Sequence, residues 1–263
     1  MSNAALHVAR TGLDAQSARM RVIANNLANV NTTGFRRDRA EFETLAYQTM
    51  TVPGAPSSAE NRYAVGLALG SGVQMTGTAR VNTQGAMTQT DNPLDMAIEG
   101  DGFFQVLRPD GTTGYTRAGN FSLSAEGQIV TSDGMRLQPE ISVPEGATAI
   151  TIGADGTISA QLQGQAAPTE LGRIELARFV NPSGLQAMGG NLYAESAASG
   201  TPQVGTPGLD GRGSLRQGSL EGSNVNVVQE LVDMIETQRA YEVNSKMIKA
   251  TDEMLQFANQ QVG

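Results

Sequence analysis

The chain contains no cysteine and no tryptophan, and His7 is its only histidine. Without cysteine, a disulfide framework, a thiolate zinc site and a cysteine nucleophile are excluded. A single histidine also excludes a multi-histidine metal site. A Ser-His-Asp triad would have to use His7, which lies in a predicted helix far in sequence from any partner. The sequence therefore predicts no metal site and no cofactor. It leaves paired carboxylates as the remaining route to an enzyme, which we do not expect.

The charge and hydropathy of the chain exclude two further classes. The formal net charge of -8 argues against nucleic-acid binding, which normally requires a basic surface. No stretch approaches the ~18 apolar residues needed to span a bilayer. Residues 1–10 lack a charged segment followed by an apolar run, so we expect no cleaved signal peptide. Hydrophobic residues make up 39% and aromatic residues only 5%, which suits an elongated β-rich body better than a compact enzyme.

Proline and glycine are scarce at both ends of the chain. All ten prolines lie between Pro53 and Pro207, and only Gly12 and Gly34 fall within residues 1–39. Residues 225–263 contain only Gly263. Since proline and glycine interrupt helices, both ends are predicted to form long helices. Gly34 is expected to stop the first, and either Asn224 or Asn226 to cap the second.

Both predicted helices carry hydrophobic residues at seven-residue spacing, the pattern of a coiled coil. In the N-terminal helix these are Leu6, Leu13, Met20 and Leu27, with Ile23 and Val30 at intervening positions. In the C-terminal helix they are Val227, Met234, Tyr241, Ile248 and Leu255, with Leu231 in support. The alternate C-terminal series is polar, because it consists of Gln238, Ser245 and Asp252.

The two helices are expected to pair antiparallel, since they join the middle of the chain at opposite ends. Six arginines and two acids occupy residues 1–39, whereas three basic residues and six acids occupy residues 225–263, so their charges are complementary. A hairpin closed within one monomer is the simpler alternative. However, a lone helix pair is marginally stable, and further apolar residues lie off the main series at Val228, Ile235, Met247, Met254 and Phe257. The pattern favours an oligomer or a polymer.

The middle of the chain is predicted to be β-structure. Asp-Gly pairs typical of hairpin turns begin at residues 101, 110, 133, 155 and 210. Strand-like runs lie between them at residues 103–107, 121–123, 128–131, 149–152 and 174–179. Residues 46–80 are rich in Thr, Ser, Ala, Gly and Pro and fit an extended arm, with a flexible linker as the alternative.

The predicted fold class is therefore α+β, with terminal helices pairing as an antiparallel coiled-coil stalk, an extended β arm and a central all-β domain. Three regions are expected. Residues 1–35 and 224–263 form the helical domain, residues 36–80 and 208–223 the connecting region, and residues 81–207 the β-rich outer domain.

Four carboxylates near one another offer the remaining catalytic possibility. They are Asp91, Asp95, Glu99 and Asp101. Two carboxylates can act together in a glycosidase, which would make the chain a periplasmic enzyme acting on peptidoglycan. An acidic, solvated turn before the strand at Phe103 explains the same residues more simply, because surface carboxylates far outnumber catalytic ones.

Two long motifs at opposite ends of the chain resemble those of the flagellar basal-body rod and hook protein family. The N-terminal motif comprises TGLDAQ at residues 11–16 and IANNLANVNTTGF at residues 23–35. The C-terminal motif is SNVNVVQELVDMIETQRAYEVNSK at residues 223–246. GFFQV at 102–106, YTRAGNF at 115–121 and GGNLY at 189–193 also fit. Within the family, the length and the segment from FETLAYQ at residues 42–48 through Val73 look most like subunits of the distal rod.

The resemblance implies a structural subunit that self-assembles into a hollow helical shaft and transmits torque from motor to hook. The terminal helices would form its inner tube, and the implied partners are other copies, proximal rod proteins, the hook protein, the surrounding P- and L-ring bushing and the flagellar export apparatus. The implied location is the periplasmic rod of the basal body. The expected assembly interface consists of Leu6, Leu13, Met20, Ile23, Asn26, Leu27, Asn29, Val30, Val227, Leu231, Met234, Tyr241, Ile248 and Leu255. The main alternative is a proximal rod or hook subunit; a carbohydrate-binding module would need an aromatic platform that a tryptophan-free chain hardly supplies.

Overall fold

The computed structural model describes residues 2–56, 61–163 and 167–262, which form two compact units. The helical unit contains the residues up to 28, residues 38–79 and the residues from 226 onward. The β unit contains residues 29–37 and 80–225. The chain thus has two terminal helices and a large β-rich body, as predicted.

Both predicted terminal helices are present. Helix α1 spans Ser2–Ala28 and helix α2 spans Val227–Val262. Asn226 caps α2, because its Oδ1 accepts hydrogen bonds from the backbone N–H of Val228 (3.1 Å) and Gln229 (3.2 Å). The predicted stop at Gly34 was wrong: α1 ends at Ala28, and Gly34 lies beyond it with a φ of 69°.

The helical unit also contains a β ribbon, residues 38–79. Its strands are β1 (Asp38–Thr44), β2 (Tyr47–Thr51), β3 (Leu67–Gly70) and β4 (Val73–Arg80). Arg80, the last residue of β4, belongs to the β unit. Strand β1 pairs with β4, and β2 pairs antiparallel with β3. The segment predicted as an arm is thus a chain folded back on itself. Its residues 57–60 lie outside the described part of the chain.

The β unit is built from short strands. They are β5 (Met87–Gln89), β6 (Met96–Glu99), β7 (Phe103–Leu107), β8 (Thr113–Thr116), β9 (Ser122–Leu123), β10 (Ile129–Val130), β11 (Arg136–Gln138), β12 (Ala147–Ile152), β13 (Thr157–Leu162), β14 (Thr169–Arg173), β15 (Leu176–Arg178), β16 (Gln186–Gly189), β17 (Leu192–Ala194), β18 (Gln203–Gly205), β19 (Ser214–Gln217) and β20 (Ser219–Glu221).

The largest sheet runs in the order β16-β17-β8-β7-β11-β10-β9, and β15 joins it by pairing with β7 and β18. Strands β12, β13 and β14 form a second, antiparallel sheet. The final strands return to the first ones, because β20 pairs with β5 and β19 pairs with β6. The unit is therefore closed by contacts between its two sequence ends.

Three of the five Asp-Gly pairs form the predicted hairpin turns. Those beginning at Asp110, Asp133 and Asp155 connect β7 to β8, β10 to β11 and β12 to β13, and each of these pairs is antiparallel. The prediction was wrong at Asp101 and Asp210. The strands on either side of those two pairs bond to other partners, since β6 pairs with β19 and β18 pairs with β15.

The core of the β unit is aliphatic with a few aromatic rings. Phe104 and Phe121 meet edge to face with ring centroids 5.2 Å apart, and Ile158, Ile174 and Leu176 are fully buried. A second cluster contains Phe103, Tyr115, Phe179, Leu185 and Tyr193. Among the described residues, neither helix has a stretch long and apolar enough to cross a membrane.

Candidate functional site

Helices α1 and α2 contact each other with opposite chain directions. The contacting residues descend along α1 as they ascend along α2, which makes the two helices antiparallel. The contacts that define this direction are Asn26 with Glu230, Arg19 with Asp233, and Gly12 beside Asn244.

The face of α2 that is buried is partly polar. Glu230 and Thr237 are its most buried side chains, with 2% and 1% of their surface exposed. Asn26 Nδ2 donates to Glu230 Oε2 at 3.2 Å, and the Thr237 hydroxyl donates to the carbonyl of Asp233 at 2.6 Å. These two polar groups therefore have hydrogen-bond partners, as buried polar groups require.

Asn26 links three elements of the helical unit. The residue is 2% exposed, and its Nδ2 donates to the Asp38 carbonyl at 2.8 Å as well as to Glu230. Its Oδ1 accepts the Asp38 backbone N–H at 3.0 Å. One side chain thus joins α1, α2 and the start of β1. The opposite end of α1 also meets the β ribbon, where the His7 ring nitrogen Nδ1 lies 3.2 Å from the Ser71 carbonyl.

The residues predicted to form the assembly interface differ widely in burial. Ile23 and Asn26 are buried, whereas Val227, Leu231 and Tyr241 are exposed. The side chain of Leu255 lies outside the described residues. The half-buried members are Leu6, Leu13, Met20, Leu27, Asn29, Val30, Met234 and Ile248. Sequence reasoning missed Glu230 and Thr237, which recur at the same seven-residue spacing as the hydrophobic series.

Most of the large hydrophobic side chains that are exposed belong to the helical unit. On α2 they include Val228 (72%), Ile235 (52%), Met254 (64%) and Phe257 (63%), together with Val227, Leu231, Val232, Tyr241, Val243 and Met247. On the β ribbon they are Phe42, Tyr47, Met50, Val52, Tyr63, Val65, Leu67, Leu69 and Met75. Large exposed apolar surface is typical of interaction sites.

A buried ionic cluster lies inside the β unit. Glu221, which is 1% exposed, accepts from Arg36 at 2.7 Å and from Arg117 at 3.3 Å. The backbone N–H of Gly85 donates to the same carboxylate at 3.0 Å. Arg117 also donates to the carbonyl of Gly100 at 2.6 Å. Burial lowers the pKa of Arg117 to about 10, although the charge of Glu221 acts in the opposite direction.

Asn224 adds hydrogen bonds beside this cluster. Its Oδ1 accepts the Arg37 backbone N–H at 2.7 Å, and its Nδ2 donates to the carbonyls of Val81 (2.8 Å) and Thr83 (2.9 Å). The Glu221 carbonyl accepts the N–H of Gly34 at 2.8 Å. Residues 29–37, 80–85 and 219–225, where the chain enters and leaves the β unit, are therefore bound together. We call this set of segments the junction.

Asp95, one of the four carboxylates considered for catalysis, is held by neighbouring side chains. Asp95 is buried and accepts hydrogen bonds from the Thr90 hydroxyl at 2.7 Å and from Asn92 Nδ2 at 2.9 Å. Its carbonyl accepts the N–H of Gly218 at 2.8 Å. Asp95 therefore holds a turn in place. Within the described residues, no group of three or more His, Asp or Glu side chains has the arrangement of a metal site.

Comparison with known families matches three parts of the chain. Residues 6–36 match the profile described as flagella basal body rod protein, and residues 216–261 match the C-terminal region of the flagellar basal body rod FlgEFG proteins. Residues 97–160 match the D1 domain of the flagellar hook protein FlgE/F/G profile. The N- and C-terminal matches include most of α1 and most of α2.

Whole-chain relatives extend this similarity. The chain is 53% identical to the flagellar basal-body rod protein FlgG of Buchnera aphidicola subsp. Acyrthosiphon pisum, over 97% of this chain and 98% of the relative. It is 48% identical to that of Caulobacter vibrioides, over 97% and 98%. The FlgF rod protein of Caulobacter vibrioides is 36% identical over 92% and 91%. These are structural proteins and not enzymes, and the chain belongs to the flagellar basal-body rod and hook protein family.

Proposed function

We propose that the chain is a structural subunit of the flagellar distal rod, which polymerises into a hollow helical shaft transmitting torque from motor to hook. The exposed apolar surface of α2 is the observation that carries this proposal. A surface helix of a stable monomer normally packs its apolar face against the core of the protein. Here Val228, Ile235 and Phe257 are more than half exposed, so α2 has apolar surface that α1 leaves uncovered.

We propose that neighbouring copies of the chain bury this apolar surface of α2. In the assembled shaft, α1 and α2 would pair as an antiparallel coiled-coil stalk in the inner tube, and further helices would pack on their exposed faces. The expected interface residues include Leu27, which is half-buried in the monomer, and Tyr241, which is exposed. Burying such side chains stabilises an assembly by roughly 25 cal/mol per Å² of apolar surface.

The β ribbon supports assignment to the distal rod. Tyr47 and Met50 on β2, and Val52 and Val65 between β2 and β3, are each more than 60% exposed. We propose that residues 46–73 pack between subunits and keep the shaft straight. A ribbon that is only two strands wide has little core of its own. It would become rigid where neighbouring subunits cover its apolar side chains.

The remaining assignments follow from the same proposal. Residues 1–35 and 224–263 would form the inner tube, residues 36–80 and 208–223 the connecting region, and residues 81–207 the outer domain. The partners would be proximal rod proteins, the hook protein, the P- and L-ring bushing and the flagellar export apparatus. The subunit would act in the periplasmic rod after export without signal cleavage.

Substitution of Ile235 by aspartate tests the polymer interface. Ile235 is 52% exposed, so Ile235→Asp should change the free energy of unfolding of the monomer by only about 0.5 kcal/mol. It should abolish tube formation by concentrated protein in electron microscopy, and also motility in cells. Gln238→Asp places the same charge at another exposed position on α2 and serves as the control. Normal assembly of Ile235→Asp would contradict the proposal.

A proximal rod or hook subunit remains the second candidate, since the FlgF relative also matches nearly the whole chain. Deletion of residues 46–73 separates the two. A distal rod should lose its straightness and become curved like a hook, whereas the alternative predicts no change of curvature. Leu27→Asp should stop assembly of either type of shaft while leaving the β unit folded, so a polymer that still forms would oppose both.

A further inference from the structure

A cavity in the β unit is lined by three arginines. It has a volume of about 120 Å³, and its walls include Arg36, Arg117 and Arg178, with Asn82 and Asp101 also contributing. A water molecule takes about 30 Å³ of liquid volume, so the cavity has room for a multi-atom ion. It opens beside Val180, which is 80% exposed, and solutes can therefore reach it.

The charges around the cavity do not balance. Arg36 and Arg117 are 3% and 5% exposed, and both contact the single carboxylate of Glu221. Arg178 adds a third positive charge and Asp101 a second negative one, which leaves an excess of one positive charge. Buried charge without a counter-charge is costly, so a bound anion would stabilise this arrangement.

One of these guanidinium groups also has an unused donor. Among the residues that the structure describes, the Nε of Arg117 is buried and has no hydrogen-bond partner. Its two other nitrogens bind Glu221 and the carbonyls of Ile98 and Gly100. An unpaired buried donor costs free energy comparable to a lost hydrogen bond. Only an acceptor that comes within hydrogen-bond distance of this buried nitrogen would remove that cost.

We propose that this cavity binds a small dissolved oxyanion such as inorganic phosphate. Arginine is suited to this chemistry, because its planar group presents several donors to phosphate or carboxylate oxygens. Arg117 and Arg36 are held in position by Glu221, and Arg178 lies closer to solvent, half-buried at the edge of the cavity. All of the residues that line the cavity belong to the β unit.

The test is a titration of the full-length, ¹⁵N-labelled protein with sodium phosphate at constant ionic strength. The Arg117 Nε–H signal should shift saturably with phosphate and should not shift with chloride. Arg178→Gln should weaken phosphate binding at least tenfold, since a charge-assisted hydrogen bond contributes about 1.5–3 kcal/mol. Arg178→Lys, which keeps the charge, should weaken it less.

Arg173→Gln is the matched control. Arg173 is 47% exposed and contacts Asp155 at 3.7 Å, outside the cavity. Its variant should bind phosphate as the unaltered chain does. The proposal is overturned if Arg117 Nε–H shows no saturable response, or if Arg178→Gln and Arg173→Gln bind phosphate equally. Backbone amide spectra confirm that each variant is folded before it is titrated.

Discussion

Replacing Glu221 with glutamine should strongly destabilise the β unit. The substitution keeps the size of the side chain and an oxygen that can accept from Gly85, but it removes the negative charge. Arg36 and Arg117, at 2.7 and 3.3 Å, would then remain buried without their carboxylate. At pH 7 Arg117 stays charged, because even its lowered pKa is about 10.

The magnitude follows from the burial of all three groups. Removing one partner of a buried ion pair costs about 3–5 kcal/mol, since the other charge is left uncompensated in a poorly solvated site. Glu221 has two such partners, so we expect the upper part of that range. In a domain of this size, 1 kcal/mol lowers the melting temperature by about 2–4 °C, so a cost of about 4–5 kcal/mol gives a decrease of roughly 8–20 °C.

The assay is urea unfolding followed by far-UV circular dichroism, with calorimetry for the melting temperature. Glu140→Gln makes the same chemical change at the exposed pair Arg136–Glu140, where the atoms are 3.4 Å apart and the side chains 52% and 44% exposed. That control should cost less than about 1 kcal/mol. The test compares the free energies of unfolding when the slope of that free energy against urea concentration is unchanged. If Glu221→Gln then lowers the free energy of unfolding by no more than the control does, the buried charge is not what stabilises the β unit.

Three further substitutions test other parts of the molecule. Gly119→Ala should destabilise the β unit by more than about 2 kcal/mol in urea unfolding, because a Cβ there would lie 1.6 Å from the Met96 carbonyl oxygen. Asn26→Ala should cost about 1–3 kcal/mol and lower the hydrogen-exchange protection of β1, since it removes hydrogen bonds to β1 and to Glu230. Burial raises the pKa of Tyr115, because the folded state disfavours its ionised form. The stability that the neutral phenol contributes is therefore present below pH ~10 and is lost at higher pH. Tyr115→Phe should reduce this alkaline loss, as measured by melting at several pH values.

Each of these predictions has a control in the same chain. A Cβ on Gly77 would meet nothing within 4 Å, so Gly77→Ala should have a much smaller effect than Gly119→Ala. Ser17→Ala, at an exposed position of α1, should leave β1 protected. Tyr47→Phe alters a tyrosine that is 62% exposed and should not change the alkaline loss. Equal effects in the paired variants would show that burial does not decide the outcome.

The helices and many of the strands could be predicted because they depend on local sequence. The scarcity of Pro and Gly at both ends predicted α1 and α2, and the strand at residues 103–107 was predicted with its observed bounds. The pairings of β5 with β20 and β6 with β19 could not be predicted this way. They join residues such as Ile98 and Leu215, and nothing in a local window specifies so distant a partner.

The contact face between the helices was harder to predict for a physical reason. Hydrophobic periodicity identifies surface that is to be buried, but it does not identify the partner that buries it. Glu230 and Thr237 are buried because hydrogen bonds satisfy them, and a hydrophobicity pattern gives no sign of those bonds. The predicted interface residues therefore stay a prediction about the assembly. The charged junction was missed because Arg36 and Glu221 are far apart in sequence.

The junction has a consequence for the order in which the chain can fold. The hydrogen bond from Arg37 to Asn224 joins residues 187 positions apart in the sequence. The ion pair of Arg36 with Glu221 joins residues that are almost as far apart. A chain that emerges N-terminus first, from a ribosome or from a narrow channel, presents Arg36 early and its counter-charge Glu221 near the end. Closing so long a loop also carries an entropic cost that grows with its length. The β unit can therefore complete its fold only after residues 219–225 have been delivered, which is close to the end of the subunit.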